Sequence, residues 1–333
     1  MIKESDIRND KSLKEYQKLV DQDSKKLLKK KKYFKNINLK KLGLGKMNFA
    51  FSKKGYDYLE CLSTGSLIAN PRPSRSDLSK FYKNSKSNEF WYEKFFLPKL
   101  KQRIKFTIKP KINYLTKNFK SYQKKKIIDI GCGSGDFLIC LKKKWRYAKL
   151  YGLEPASKMS RKFKNKDIVI FNNVIEEFKT KTKFDLVTCF ELFEHVYDPG
   201  YFIKSLRNIL SKNGLLFLST LNAKGFDIKH LRENSKSIYP PYHLNFFTEK
   251  SMFKILSLNG FKDIKIITPG KLDFDIVRKN LSYVKDPVLK KILYLLDRKK
   301  INSSEIKDIQ KVIYSNNLSS HMLIMAKKSN EKD

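Results

Sequence analysis

The sequence predicts an α/β fold: a doubly wound, seven-stranded, mostly parallel sheet, preceded by a small β unit and a basic arm. Three observations predict it. After Gln123, short apolar runs alternate with helical patterns, as a parallel sheet covered on both faces requires. The first of these runs, IIDIGCGSGDFL from Ile127 to Leu138, passes through three alternating glycines directly into a helical pattern. Two late strand candidates, FKDIKIITPG and SSHMLIMAKK, are separated by a helical stretch from about Phe274 to Asn316.

From the start, residues 1–45 read as a basic, partly helical or disordered arm, with the run KKLLKKKKYFK from Lys25 to Lys35. Residues 46–85 form a small β unit. Its MNFAFSKKGYDYLECLSTGSLIAN alternates aromatic and polar residues between glycines, like short hairpin strands, and NPRPS closes it with a rigid turn. Residues 86–122 carry helical spacing broken by Pro98 and Pro110 and read as connecting helices. The main domain spans 123–328, with a helical insertion at about 272–317. Its strand candidates are Lys126–Gly131, Lys149–Glu154, Ile168–Asn172, Phe184–Phe190 and Gly214–Thr220, followed by the two late ones.

Composition excludes several classes. The apolar runs, such as GLLFLSTL, fall far short of the roughly 18 residues that cross a bilayer, and MIKESDIRNDKSLKEYQ lacks an apolar core segment, so a soluble, cytoplasmic protein without a secretory signal is expected. Cys61, Cys132, Cys140 and Cys189 are scattered without a C-x-x-C pair, so neither a disulfide framework nor a four-cysteine zinc site is written here. The net charge of +39 suits nucleic acid or an anionic surface. However, Lys outnumbers Arg about sixfold and is spread along the chain, as codon drift with a solvated surface would produce. Nucleic acid is therefore a possible but not the favoured partner.

The glycine turn narrows the ligand. In an open parallel sheet the ligand sits beyond the carboxyl ends of the strands, where Gly131, Gly133 and Gly135 fall. A dinucleotide fingerprint would need glycine at 136, where this chain has Asp136; a carboxylate there opposes a pyrophosphate. Asp129 adds a second carboxylate. Glu154, at the end of the second strand and 23 residues beyond Gly131, stands where a carboxylate accepts the two hydroxyls of a ribose. A ribose joined to a cationic, phosphate-free body describes S-adenosylmethionine.

With these residues in place, the sequence resembles the class I S-adenosylmethionine-dependent methyltransferases, whose Rossmann-like sheet matches the predicted one. IIDIGCGSG resembles their first motif, GLEPAS their ribose-binding strand end, FDLVTCFELFEHVYDP their fourth strand and following segment, and LRNILSKNGLLFLSTLN their fifth-strand region. Within them, PYHLNFFTEKSMFKILSLNGF and ANPRPSRSDLSKFY resemble methyltransferases with an N-terminal zinc ribbon, which include C-methyltransferases of nucleotide-linked deoxysugars. VTCFELFEHVYDP and STLN are equally similar to the O-methyltransferases of ubiquinone synthesis. The ribbon departs from its pattern: Cys61 is kept, but Thr64 stands where the partner thiol would be. A degenerate ribbon-like unit without zinc follows, and no metal is expected.

The resemblance implies that S-adenosylmethionine is the co-substrate, that Asp129, Gly131 and Gly133 hold its methionine portion, Glu154 its ribose, and the backbone of Asn173, Val174 and Ile175 its adenine. Phe190 and Glu191 would border the methyl group and the acceptor. Methyl transfer from a sulfonium needs little beyond alignment and, for a protonated acceptor, a base. His243 in PPYHLNFFT is the candidate base, because imidazole titrates near neutrality. In the sugar C-methyltransferases a glutamate precedes that histidine; here Tyr242 does. Glu191, Tyr242 and His243 are thus the candidate catalytic side chains. His195 reads as an organiser of its loop, His230 and His321 as incidental, and FWYEKFF as packed core rather than an acceptor pocket. The expected acceptor is a small molecule, foremost a sugar of a nucleotide-sugar or surface-glycan pathway. A quinone or phenolic hydroxyl is the alternative, with a basic nucleic-acid-binding or RNA-modifying protein and a non-catalytic relative as readings of another class.

Overall fold

The computed structural model describes residues 12–155 and 167–329. The first residues of the arm and the segment that follows Pro155, including the end of GLEPAS, lie outside the described residues.

Strands β1 (Met47–Lys53), β2 (Tyr56–Cys61) and β3 (Leu67–Ala69) come first; β4 (Lys126–Ile130), β5 (Lys149–Leu153), β6 (Ile168–Phe171), β7 (Phe184–Phe190) and β8 (Leu210–Leu221) follow. The short β9 (Asn245–Phe246), β10 (Phe261–Ile267) and β11 (His321–Lys328) complete the set. Seven of them form one sheet in the order β10, β11, β8, β7, β4, β5, β6. β11 alone runs against its neighbours, β8 and β10, so the expected doubly wound, mostly parallel sheet is what the chain builds. β4 lies between β5 and β7: the chain winds first to one side and then returns to the other. That reversal opens a crevice at the carboxyl end of β4.

β4 reads KIIDI because both its faces are covered: every residue after Lys126 is buried, Asp129 included. Above and below pack two apolar clusters, one containing Ile128, Val187, Phe193 and Ile324, the other Ile127, Leu138, Leu186 and Phe217. The covering helices start on local signals. The helix Pro199–Ile209 takes its proline at the first turn and its cap from Asp198, whose side chain accepts the Tyr201 N–H at 3.0 Å. The helix Glu249–Leu258 opens on a capping box between Thr248 and Ser251.

The structure narrows or departs from the expectations at three places. The arm, for which sequence leaves helix and disorder both open, is helical over Leu13–Leu28, a sixteen-residue helix, α1, with Val20 and Leu27 packed against Phe81 and Tyr242. Its Asp23 accepts the Ser87 N–H at 2.9 Å and the Ser87 hydroxyl at 2.8 Å, a long-range tie that charge pattern alone does not reveal. Secondly, β8 starts at Leu210, four residues before the glycine expected to open it. Thirdly, the β unit shares its sheet with the main domain: β1, β2 and β3 continue antiparallel into β9, which pairs Leu67 with Phe246 and Ile68 with Asn245.

Residues 86–108 break into short α, 3-10 and π turns around Pro98, which brings no N–H to the ladder. The insertion before β11 consists of α2 (Asp273–Lys279), α3 (Pro287–Arg298) and α4 (Ser303–Ser315), closed around Phe274, Val277, Leu293, Ile306 and Ile313. Among the described residues, no helix is long and apolar enough to cross a membrane.

Candidate functional site

The carboxyl edge of the parallel strands gathers the residues singled out by sequence. Gly131, Gly133 and Gly135 follow β4 with φ of 70°, 54° and 75°. These left-handed values are why side chains are missing there. Gly131 is also a close approach, since a Cβ would stand 2.8 Å from Leu192 Cδ2; at Gly133 a Cβ would meet nothing within 4 Å, so that turn faces open space. The Gly131 N–H bonds the Leu153 carbonyl at 2.8 Å and lays the turn across the end of β5. There the Glu154 carboxylate accepts the Gly133 N–H at 3.0 Å.

Asp129 is buried under this turn and accepts the Thr188 hydroxyl at 2.7 Å. Burial pushes its carboxyl up to about 7, against the pull of Thr188 and Lys111. Beyond β6, the Asn173 side chain accepts the Val174 N–H at 2.7 Å, which holds that backbone in shape beside Glu154, itself bonded to the Phe171 carbonyl.

At the end of β7, Phe190 lies edge-on to Phe137 (4.7 Å) and Phe217 (5.6 Å), with the Lys111 ammonium 4.7 Å from its ring centre. Glu191 has a φ of 50°, unusual for a side-chain-bearing residue. Its Oε1 accepts the Ser219 hydroxyl at 2.6 Å and Lys111 Nζ at 3.1 Å, and His321 Nε2 lies 3.6 Å from Oε2. Burial would raise this carboxyl, but Lys111 and His321 prevail and hold it at about 2. Glu191 is a fixed anion, and His321, which sequence gave no role, is one of its partners.

Three residues further on, the turn Phe193–His195 brings Glu194 and His195 together with His243, and the ligand atoms of all three lie within 4.8 Å of one another. Glu194 Oε2 accepts the Thr220 hydroxyl at 2.7 Å, and Oε1 lies 3.9 Å from His195 Nε2. Burial, then the charge of Glu191, pushes the Glu194 carboxyl up to about 8. Burial lowers His195 to about 4 and keeps it neutral, despite the Tyr242 carbonyl 3.0 Å from its Nδ1. His243 Nδ1 lies 2.6 Å from the Ser237 carbonyl, and the two imidazole rings are 4.8 Å apart.

Sequence reasoning placed His195 as a loop organiser and Tyr242 beside the base. The structure makes His195 part of the cluster and turns Tyr242 away. The Tyr242 hydroxyl lies 2.8 Å from Ser87 Oγ, with the ring packed in the cluster under α1, and burial raises it to about 12. What Tyr242 presents to the cluster is its carbonyl, so a catalytic role for its hydroxyl is corrected on geometry. Lys111, Thr188, Ser219, Thr220 and Ser237 were missed. Lys111 follows Pro110 in a lysine-rich run where no single lysine stands out, and the hydroxyls belong to ordinary strand and loop sequence.

At the zinc ribbon's expected position, Cys61 Sγ lies 3.4 Å from Ser63 Oγ, Thr64 Oγ1 lies 3.0 Å from Ser66 Oγ, and Ser66 donates to Ser251 at 2.7 Å. Hydroxyl bonds occupy the ground of a thiolate set.

Residues 99–266 match a family described as a methyltransferase domain. The ubiquinone biosynthesis O-methyltransferase of Histophilus somni is 33% identical over 124 residues, 34% of this chain and 51% of that protein. That of Hydrogenovibrio crunogenus is 25% identical over 228 residues, 64% of this chain and 82% of that protein. The chain spans about half the length of the first curated relatives it matches, 51%, 40% and 46%. A Thermotoga maritima protein described as a SAM-dependent methyltransferase, possible histamine N-methyltransferase, is 16% identical in structure-based comparison, with a TM-score of 0.47 over 72% of this chain and 98% of its own.

Proposed function

The chain belongs to the methyltransferase-domain family, and on that premise we propose that it transfers a methyl group from S-adenosylmethionine to a hydroxyl of a small phenol- or quinol-type acceptor. The observation that carries the donor half is the left-handed glycine turn closed by Glu154 through the Gly133 N–H, with Asp136 where a pyrophosphate fingerprint would have its last glycine. Gly131, Gly133 and the buried Asp129 take the methionine portion. Glu154 takes the ribose, Asn173 and Val174 take the adenine, and Phe190 and Glu191 border the methyl group. The working unit is residues 123–328, to which the 46–85 unit is attached.

The reaction is an in-line displacement. An acceptor oxygen forms a bond to the methyl carbon as the carbon–sulfur bond breaks, its electron pair going to sulfur, and the hydroxyl proton leaves to a base. His243 is that base: the Ser237 carbonyl accepts from its Nδ1, so the neutral ring carries its basic lone pair on Nε2.

Two observations favour the phenolic acceptor over the sugar. The relatives reported above are named for ubiquinone O-methylation. Tyr242, in the place of a glutamate, packs its hydroxyl away from His243, which removes the acid–base pair a carbon acceptor would use.

Calorimetric titration with S-adenosylmethionine, NAD serving as control, tests the donor half. Wild type is expected to bind the former alone, and Glu154→Ala to bind at least tenfold more weakly; equal affinity in the mutant would sink the ribose assignment. Methyl transfer to catechol-type rings, with none to nucleotide sugars, tests the acceptor half.

A further inference from the structure

We propose that α1 is part of the acceptor site, and that Asp23, Ser87 and Tyr242 are positioning residues that set the His243 ring against the acceptor. The inner face of α1 runs at helical spacing through Tyr16, Val20, Asp23 and Leu27. Apolar residues pack on such a face without penalty, whereas a buried carboxylate costs stability unless it is hydrogen-bonded. Asp23 is buried, and its bonds come from Ser87. Oδ2 accepts the Ser87 N–H at 2.9 Å and the Ser87 hydroxyl at 2.8 Å, while Lys26 Nζ lies 3.7 Å from Oδ1.

Proton inventory fixes the direction of the bonds that follow. Ser87 spends its single hydroxyl proton on Asp23, so the Tyr242 hydroxyl, 2.8 Å away, is the donor to Ser87 Oγ. Tyr242 then has no proton for Ser85, whose hydroxyl, 3.3 Å away, donates to it. With a donor and an acceptor on its oxygen and its ring edge-on to Phe81 at 5.0 Å, the Tyr242 side chain has one orientation.

From that ring the constraint passes to the backbone. The Tyr242 carbonyl accepts the Tyr82 hydroxyl at 3.1 Å, and the next residue is His243. The His243 N–H donates to the Tyr239 carbonyl at 3.1 Å, and the His243 carbonyl accepts the Tyr58 hydroxyl at 2.7 Å. Tyr239 is gripped by α1 as well. Tyr16 stacks on its ring at 5.7 Å, and Lys54, paired with Asp21 of α1, lies 5.0 Å from the ring centre. Pro240 and Pro241, whose rings fix φ, leave little slack between the two gripped tyrosines. α1 therefore holds both ends of the segment that presents the His243 ring, while the Ser237 carbonyl sets which ring nitrogen carries the proton.

The effect on methyl transfer rests on the function proposed above, with His243 as base; the hold of α1 on the His243 segment does not. A base must stand within hydrogen-bond reach of the proton it takes, so a small displacement of the segment is felt in the rate.

The test measures methyl transfer to catechol by the full chain, together with S-adenosylmethionine affinity, in wild type, Asp23→Ala, Asp23→Asn, His243→Ala and the double variant Asp23→Ala/His243→Ala. Asp23→Ala is expected to lose at least tenfold in kcat, with S-adenosylmethionine affinity kept within about twofold, because the displaced base no longer reaches the proton. Asp23→Asn should recover most of that loss, since its amide oxygen accepts both Ser87 bonds. The double variant should be no slower than His243→Ala, because Asp23 acts through that ring; losses that multiply would overturn the coupling. The same proteins, isotope-labelled at the histidine nitrogens, are read by NMR without any acceptor. The His243 signal, identified by its absence in His243→Ala, should report a proton on Nδ1 in wild type and Asp23→Asn, and a mixture of tautomers in Asp23→Ala. An unmoved His243 signal in Asp23→Ala would overturn the hold of α1. Should Asp23→Ala fail to fold, Tyr242→Phe, which removes one hydroxyl from the same row of bonds, takes its place in both measurements. A signal that moves, in a chain whose wild type does not methylate catechol, would refute the acceptor proposed above and leave the positioning of His243 standing.

Discussion

At Gly131 one methyl group is enough to separate two reasons for a glycine. Alanine there meets Leu192 at 2.8 Å in a backbone at φ 70°, while alanine at Gly133, φ 54°, meets nothing. Gly131→Ala should cost on the order of 2 kcal/mol in urea unfolding, about 1 from the left-handed backbone and the rest from the clash. Gly133→Ala should cost only the backbone part, yet lose at least tenfold in S-adenosylmethionine affinity, because its Cβ enters the space left for the ligand. Undiminished affinity in Gly133→Ala would place the donor elsewhere. These glycines, with Glu154, were legible because a turn against a strand end admits few residue types. The His195 and Tyr242 roles were not, since which ring nitrogen or oxygen faces a site depends on carbonyls more than forty residues away, such as Tyr242 O on His195.

Between elements, polar side chains in dry places carry the joins. Arg72, fully buried, donates to the carbonyls of Ala69 (2.8 Å) and Tyr197 (2.9 Å) and to Asn245 Oδ1 (3.0 Å), tying β3 to β9 and to the loop after β7. Arg72→Met leaves those acceptors unpaired and should destabilise the whole chain by about 3 kcal/mol in one cooperative transition. A separate early transition would mean that residues 46–85 fold as a unit of their own. The insertion is joined through Asp227, which accepts from Ser235 (3.2 Å), Ser237 (3.0 Å) and the Ser320 hydroxyl, and is faced by Asp273 on α2 and His321 on β11. Burial, then Asp273, pushes the Asp227 carboxyl from 3.8 up to about 6. The folded chain keeps this proton where the unfolded chain has released it, so the stabilisation is whole below pH 4 and is lost as pH rises through 6. Asp227→Asn should flatten that decline, by on the order of 2 kcal/mol between pH 4.5 and 7; an unchanged slope would assign it to other groups. Apolar periodicity made the strands and insertion helices readable. The burial of Arg72 and the β3–β9 pairing were not readable, because each joins residues over 170 positions apart.

For the whole molecule, the question is what a net charge of +39 does. A nucleic-acid surface gathers its cations into one stripe, whereas here lysines are exposed on α1, at residues 29–32, and on α3 and α4 of the insertion, elements belonging to different parts of the fold. Some are already paired: Lys30 with Asp77 (2.9 Å), Lys31 with Asp57 (3.3 Å) and Lys285 with Glu233 (2.9 Å). Spread in this way, few of them can meet phosphates of one strand at once. Any binding to RNA should therefore be weak, and a log–log plot against salt should be shallow, with a slope of about −3 or flatter, against the roughly −4 to −7 of a protein that makes about six to ten phosphate contacts with a single strand. The same scatter makes like charges repel across the surface, so added salt should raise the melting temperature as screening shortens from about 30 Å at 0.01 M to about 10 Å at 0.1 M. Fluorescence anisotropy with a labelled single strand, run beside thermal melts over that salt range, reads both quantities. A shallow slope with rising stability makes the lysines a solvated coat. A slope steeper than −5 with submicromolar affinity would mean that the fold presents one continuous basic track, and the acceptor would then have to be sought among nucleic acids.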